Sequence, residues 1–255
     1  MTRIGILGAS GRMGRAIAAV AAEGGIAVAG GVDRPDVPSE IAPGLSFETD
    51  ATALARLSDV LVDFSAPAAL DAHLAAACAA NVPIVIGTTG LGPEHHARIE
   101  AAAAVIPVLQ AANTSLGVNL LAHLVRETAA RLGTDWDIEI LEMHHRHKVD
   151  APSGTALLLG TAAAQGRGGT LEELSRYDRL GVEARRAEGT IGYASLRGGS
   201  VAGDHVAIFA ADGERIELGH RAESRAIFAR GAVQAALWLA GKPAGRYAMT
   251  DVLGL

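Results

Sequence analysis

Arg3-Ile4-Gly5-Ile6-Leu7-Gly8-Ala9-Ser10-Gly11-Arg12-Met13-Gly14 joins an aliphatic run to three glycines spaced three apart. Arg3–Leu7 reads as a buried strand, and Gly11–Ala22 as a helix that opens directly after the glycine turn. Glycine lets the backbone turn tightly and approach a pyrophosphate, while the free N–H groups and dipole of a helix start favour an anion. The spacing G-x-x-G-x-x-G is a variant of the commoner G-x-G-x-x-G. By itself it describes a plain turn equally well, so its context decides.

That context is a strand–helix alternation. Ile26–Val32, Val60–Phe64, Pro83–Ile86 and Pro107–Leu109 are further strand candidates. Pro67–Ala80 and Pro93–Ala104 are helix candidates, each with proline in the first turn, where its missing N–H is tolerated. Such alternation predicts a parallel sheet covered on both faces. The second strand ends at Asp33, about the separation at which an acid meets the adenine-ribose hydroxyls. Arg34 follows it and Arg12 lies in the glycine loop; an acid favours the free diol of NAD, whereas the arginines suit the 2′-phosphate of NADP. Gly87-Thr88-Thr89-Gly90 and Ala111-Ala112-Asn113-Thr114-Ser115 end later strands, where open α/β sheets bind ligands. The threonines are candidates for the nicotinamide or its ribose, and Asn113 for a carboxamide. Either segment also reads as a plain strand-ending turn.

The character changes after about residue 115. Leu116–Leu132 is apolar at helical spacing, and Asp137–Met143 alternates as a strand. Ser153–Gln165 reads as a helix with Ser153 as N-cap. The stretch 166–188 reads as loop and surface. Gly189–Arg197, His205–Ala210 and Arg215–His220 read as antiparallel strands, with Gly198-Gly199 and Asp212-Gly213 as hairpin turns. Arg225–Ala240 is a final helix. The fold class is therefore α/β: a Rossmann-like parallel-sheet domain plus an inserted α+β domain with a mixed or antiparallel sheet. The expected division is residues 1–115, completed by 225–255, around an insertion of 116–224.

Composition narrows the function. The chain of 255 residues is 49% hydrophobic but only 4% aromatic, with a formal net charge of −6. Aliphatic strands fit this balance; a nucleic-acid binder that neutralises phosphates and stacks bases on rings does not. The single cysteine, Cys78, excludes an internal disulfide and a multi-cysteine metal site, and reads as a small core residue. Charged residues or glycine interrupt every apolar run before it can span a bilayer. Met1-Thr2-Arg3-Ile4 leads straight into a strand without a signal-peptide layout, so the expected location is the cytoplasm.

The chemistry gathers at Glu142-Met143-His144-His145-Arg146-His147-Lys148-Val149-Asp150-Ala151-Pro152-Ser153-Gly154-Thr155. Of the two lysines in the chain, Lys148 and Lys242, one lies here, beside three of the nine histidines. Arginine keeps its proton near neutral pH; a desolvated lysine can release it. The helix opening at Ser153 offers N–H groups, with the Ser153 and Thr155 hydroxyls, to an anion. Together these suit a small acid with more than one carboxylate. Two other readings stay open: metal ligation by His144, His145 and His147 with Glu142 or Asp150, and a purely structural polar turn.

At these residues the chain resembles the 4-hydroxy-tetrahydrodipicolinate reductases, also called dihydrodipicolinate reductases. The resemblance spans nearly the whole length. Its motifs are Gly8–Gly14, Asp63-Phe64-Ser65, Gly87-Thr88-Thr89-Gly90, Ala111-Ala112-Asn113 and, the most specific, Glu142–Thr155. It implies hydride transfer from NADH or NADPH to a cyclic dicarboxylate in diaminopimelate and lysine biosynthesis, by a homotetramer. It implies that His144 is a proton donor and acceptor and Lys148 a second proton donor. Lys148, His145, Ser153, Gly154 and Thr155 match substrate-binding positions. Gly8, Ala9, Ser10, Gly11, Arg12, Met13, Asp33, Arg34, Gly87, Thr88, Thr89, Ala111, Ala112, Asn113 and Thr114 match cofactor contacts, with no resident metal. Two features depart from the family pattern: Thr114 stands where relatives often carry Phe, and the segment between Arg34 and Phe47 is short. A different dehydrogenase, such as one acting on aspartate, would share the glycine loop without needing the long histidine–lysine motif. A nucleotide-sensing protein would bind cofactor without turnover.

Overall fold

The computed structural model describes residues 1–34, 40–42, 45–48, 50–178 and 185–255. The short segment between Arg34 and Phe47 and the charged stretch before Glu188 lie partly outside the described residues. In chain order the elements are β1 (Arg3–Leu7), α1 (Arg12–Glu23), β2 (Ala27–Val32), β3 (Glu40–Ala42), β4 (Leu45–Ser46), α2 (Ala51–Leu57) and β5 (Val60–Asp63). A 3-10 turn (Pro67–Ala69), α3 (Leu70–Ala80), β6 (Ile84–Ile86), α4 (Pro93–Ala103), β7 (Pro107–Gln110) and α5 (Leu116–Arg131) follow. Next come β8 (Asp137–His144), α6 (Gly154–Gly166), α7 (Leu171–Leu174), β9 (Ser175–Arg176), β10 (Ile191–Arg197), β11 (Gly203–Ala211) and β12 (Glu214–Ala222). The chain closes with α8 (Ala226–Leu239), β13 (Gly245–Tyr247) and α9 (Met249–Leu253). These elements form two units, Met1–Leu116 with Ala226–Leu255, and Gly117–Arg225.

The first unit is built on a parallel six-stranded sheet in the order β13-β7-β6-β5-β1-β2. Its strands are aliphatic on both sides because both faces are covered. Ile4, Ile6, Val60, Val62, Val85 and Leu109 point to a core closed by α1 and α8. The alternate residues Leu7, Leu61, Ile84, Ile86 and Val108 point to a second core under α2, α3 and α4, with Cys78 packed at its margin. The α/β expectation holds here. Strand β13 was not expected. Three residues of Gly-Arg-Tyr carry no aliphatic signal, and only pairing with β7 defines them.

The second unit has a mixed five-stranded sheet, β12-β11-β8-β10-β9. Along β8, Ile138, Ile140, Glu142 and His144 are buried while the residues between them are half-exposed. Ile138 and Ile140 join Phe209, Ala207 and Ile191 in a core covered by α5 and α6. Thus the alternation that buries the isoleucines carries Glu142 and His144 to the polar end of the same core. Ser153 caps α6 as expected, its Oγ accepting from the Ala156 N–H at 3.2 Å.

Three expectations need correction. β10 is parallel to β8, not antiparallel, because the chain crosses back through α6 and α7 before re-entering the sheet. Gly198-Gly199 is therefore no hairpin turn. Residues 198–202 pass over the end of β8, bonding His144 O (2.9 Å), His145 N (2.8 Å) and Arg146 N (3.3 Å) through their main chain, and β11 starts on its other side. Asp212-Gly213 is a two-residue hairpin turn as expected, pairing Ala211 with Glu214, and Gly213 takes φ 85°. The stretch after Gly169 is not all loop: a capping box of Thr170 and Glu173 starts α7, and β9 pairs with β10. Arg186 then bonds Asp137 and Glu139 of β8, the central strand of the sheet.

Candidate active site

In the first unit the carboxyl ends of β1, β2, β5, β6 and β7 bring Gly8, Asp33, Ser65, Gly87–Thr89 and Ala111–Thr114 to one edge. The strand order reverses at β1, the position where doubly wound sheets open a crevice. Gly8 N and Ala9 N donate to Val32 O at 2.9 and 3.2 Å, pinning the loop against β2. Gly8 adopts φ 79°, and a Cβ at Gly14 would lie 2.4 Å from Gly8 O. Gly11 is the N-cap of α1 and no side chain caps that helix, which leaves its first N–H groups for an anion. Ser10, Arg12 and Met13 complete the loop, with Arg12 exposed.

Asp33 accepts from Ser10 N (2.8 Å) and Ser10 Oγ (2.5 Å) through one oxygen, and from Arg34 N (2.8 Å) through the other. Burial pushes its carboxyl up, but the Ser10 and Arg34 donors draw it below its ordinary value. It is thus an anion beside the glycine loop, suited to a ribose diol. A glycine cradle, an uncapped helix start and an ionised acid fit a dinucleotide.

Asp63, fully buried at the end of β5, organises the neighbouring loops. It accepts from His73 Nδ1 (2.8 Å), Ser65 N (2.9 Å), Ser65 Oγ (2.6 Å) and Thr88 Oγ1 (3.0 Å). Burial raises the Asp63 carboxyl, and His73 and Ser65 outweigh that to hold it below its ordinary value. A Cβ at Gly87 would overlap the Phe64 ring, so any larger residue where these loops touch must displace that ring. Asn113 Oδ1 accepts from Ser115 N at 2.9 Å, shaping the loop after β7. Thr114 is buried and its hydroxyl donates to Phe228 O of α8 at 2.7 Å, where a phenylalanine ring would have no such partner.

In the second unit, Glu142 is the hub. Its side chain is 1% exposed and accepts both arms of the Arg197 fork at 2.8 Å, His144 Nδ1 at 2.6 Å and Ser153 N at 3.2 Å. Burial drives this carboxyl up, yet Arg197, His144 and Ser195 pull it down to about 2. His205, cross-strand from Glu142, packs edge-on to His144 with ring centroids 5.0 Å apart. Its Nε2 lies 3.0 Å from Ser153 Oγ, and burial followed by the nearby His144 lowers it to about 4.

Lys148 Nζ donates to both oxygens of Asp150 at 2.8 Å, and its side chain is 20% exposed. That bond holds Asp150 below its ordinary value. His145 is half-exposed beyond the strand end; desolvation, then the neighbouring Arg225 charge, lowers it. Gly154 is exposed at the first turn of α6, with open space where a Cβ would be. Thr155 is half-buried beside it. His144, Lys148, Ser153, Gly154 and Thr155 thus all sit around one short loop, residues 145–153. Among the described residues no three His, Cys, Asp or Glu side chains form a group able to hold a metal ion. No described helix is long and apolar enough to cross a membrane.

Sequence reasoning missed Arg197, His205 and His73. Alternation along β11 places His205 on the face of Ala207 and Phe209, but only the strand register sets it opposite Glu142. Arg197 pairs with His144 across β8 and β10, a neighbour relation no local pattern carries.

Comparison with known proteins identifies the family. Residues 2–114 match the family model described as dihydrodipicolinate reductase, N-terminus, and residues 117–253 match dihydrodipicolinate reductase, C-terminus. The 4-hydroxy-tetrahydrodipicolinate reductase of Zymomonas mobilis is 59% identical over 255 residues, covering 99% of this chain and 97% of that protein. The enzyme of the same name from Parvibaculum lavamentivorans is 50% identical over 265 residues, covering 99% and 98%. A dipicolinate-bound dihydrodipicolinate reductase from Paenisporosarcina sp. TG-14 shares the fold at a TM-score of 0.81 and 22% identity, covering 98% of each chain. With both of its halves matched and relatives this similar along its whole length, the chain belongs to the dihydrodipicolinate reductase family.

Proposed function

We propose that Lys148 and His144 carry the proton chemistry in this chain's reduction of 4-hydroxy-tetrahydrodipicolinate, with α6 holding a substrate carboxylate. The reduction itself, by way of dihydrodipicolinate to tetrahydrodipicolinate in diaminopimelate and lysine biosynthesis, is the activity of the family. A reduced nicotinamide, when bound, supplies the hydride. Negative charge then gathers on the ring-nitrogen side of the conjugated imine, and the Lys148 ammonium offsets it. His144, whose Nδ1 is bonded to Glu142, handles the proton through Nε2. Help of this kind is worth roughly 10²–10⁴-fold in rate. The Gly154 and Thr155 N–H groups at the start of α6 receive a carboxylate; Ser153, its N–H on Glu142 and its hydroxyl capping the helix, fixes that turn around the substrate, and His145 borders it. To take a second carboxylate, Lys148 exchanges its bond to Asp150 for one to substrate.

On this reading residues 1–115 with 225–255 bind the dinucleotide, and 116–224 bind substrate and make the oligomer, a homotetramer in the cytoplasm. Gly8–Met13 face the pyrophosphate, Asp33 and Arg34 the adenine ribose, and Gly87–Thr89 and Ala111–Thr114 the nicotinamide end. Both NADH and NADPH are accepted.

The observation that carries the reading is the joining of His144, the start of α6 and the Lys148 loop around Glu142. Its test is turnover of freshly generated 4-hydroxy-tetrahydrodipicolinate with NADH and with NADPH, followed by loss of reduced-nicotinamide absorbance. Lys148→Ala should lower kcat by at least about 10²-fold with the thermal midpoint retained. Wild-type turnover in that variant removes the lysine from the mechanism. Cofactor binding without any turnover by the wild type would mark a sensor instead.

A further inference from the structure

We propose that Glu142 and Arg197 act as a positioning pair: the carboxylate keeps a proton on Nδ1 of His144, so that Nε2 is the working nitrogen, and the guanidinium fastens the Lys148 loop to the same carboxylate. The inference rests on the catalytic reading of His144 and Lys148 but is tested apart from it. An ionised carboxylate only accepts hydrogen bonds, and Arg197 fills the remaining side of Glu142 with two donors. The 2.6 Å contact with His144 therefore requires an N–H at Nδ1. The opposite nitrogen lies beside Gly203, where a Cβ would stand 3.0 Å from Nε2, so glycine is what keeps a side chain off that nitrogen.

Arg197 does a second job. One arm also donates to Asp150 O at 2.6 Å, in the loop whose Asp150 carboxylate holds Lys148. Ser153 N, the cap of α6, donates to Glu142 as well. One buried anion and one cation thus set the relative places of the imidazole, the ammonium and the helix start. The Arg197 charge also balances the Glu142 charge, so His144 need not be cationic to satisfy the buried carboxylate.

The test locates the ring proton directly, by neutron diffraction of the protein crystals and by ¹⁵N NMR of histidine-labelled protein, with His144→Gln identifying the resonance. In the wild type the proton of neutral His144 should sit on Nδ1. In Glu142→Gln the Arg197 fork spans both positions, so the Ser153 N–H, which meets only the side away from His144, selects the amide oxygen there and turns the NH2 toward His144. The proton should then move to Nε2, with kcat lowered by about 10²-fold and the substrate KM little changed. Arg197→Lys, which keeps the charge but loses the fork, should instead raise the substrate KM by about tenfold through the loosened loop. A wild-type proton on Nε2 overturns the proposal, as does one that stays on Nδ1 in Glu142→Gln. If Glu142→Gln does not fold, the wild-type proton position decides. His144→Gln turning over at the wild-type rate would sink the catalytic role of His144 while leaving the proton assignment standing.

Discussion

Asp63 ends β5 in one unit and Glu142 lies near the end of β8 in the other; both are buried, and each accepts a histidine Nδ1, at 2.8 and 2.6 Å. Their remaining partners differ in kind. Asp63 takes hydroxyl and amide donors from Ser65 and Thr88. Glu142 takes the Arg197 fork and the Ser153 N–H. On the proposed reading the first carboxylate shapes loops that hold the dinucleotide by main-chain groups, for which uncharged donors suffice. The second serves a site made of charged side chains, and there a guanidinium balances the buried charge. The lesson is that similar carboxylates can arrange either backbone or charge, depending on what their other donors are.

The comparison can be broken most sharply at Gly14. A valine there would place its Cβ 2.4 Å from Gly8 O and disturb the glycine cradle. The expected result is a rise in KM for NADH and NADPH of at least about 10²-fold, with the fold retained by circular dichroism. An unchanged KM would mean the main chain of this loop does not hold the cofactor. Asp63→Ala comes next: it strands His73, Ser65 and Thr88 donors in the interior, and denaturant unfolding should show a loss of about 3–5 kcal/mol. A smaller loss would show that hydroxyl partners make Asp63 less critical than its burial suggests.

A pH effect follows. His205 falls from 6.5 to about 4 on folding, so the unfolded chain binds its proton first. Its contribution is full above pH 6.5 and is lost as pH falls from 6.5 to 4, by at most about 3 kcal/mol. Glu142, depressed from 4.5 to about 2, acts with the same sign in the lower window between those values. Thermal midpoints measured across pH 4–6.5 should therefore fall less steeply in His205→Gln than in the wild type; parallel curves would refute this. The smallest effect is expected for Thr88→Val, which removes one bond to Asp63 and should cost about 1 kcal/mol, read by the same unfolding titration.

Much of this was legible in the residues themselves. The aliphatic run before Gly8, the proline opening α4 and the Ser153 cap are local signals, and each appears where expected, whereas Pro67 opens a 3-10 turn that leads into α3 at Leu70. The histidine–lysine motif was visible because lysine is so rare in this chain. What escaped was set by pairing at long range. Gly198-Gly199 has the same local chemistry whether it turns a hairpin or crosses a neighbouring strand. The direction of β10 depends on the route taken through α6 and α7. Arg197 and His205 are ordinary strand residues until the register places them beside His144 and Glu142.

The segment 198–202 has a consequence for how this chain can vary. Surface loops usually accept extra residues at small cost, because closing a longer loop is only slightly harder. Here the main chain clasps both sides of the His144 peptide, so any change in length must slide one set of bonds off its partners. Insertion scanning should find Asp212-Gly213 permissive and this clasp forbidding, although both are glycine turns on the rim of one sheet.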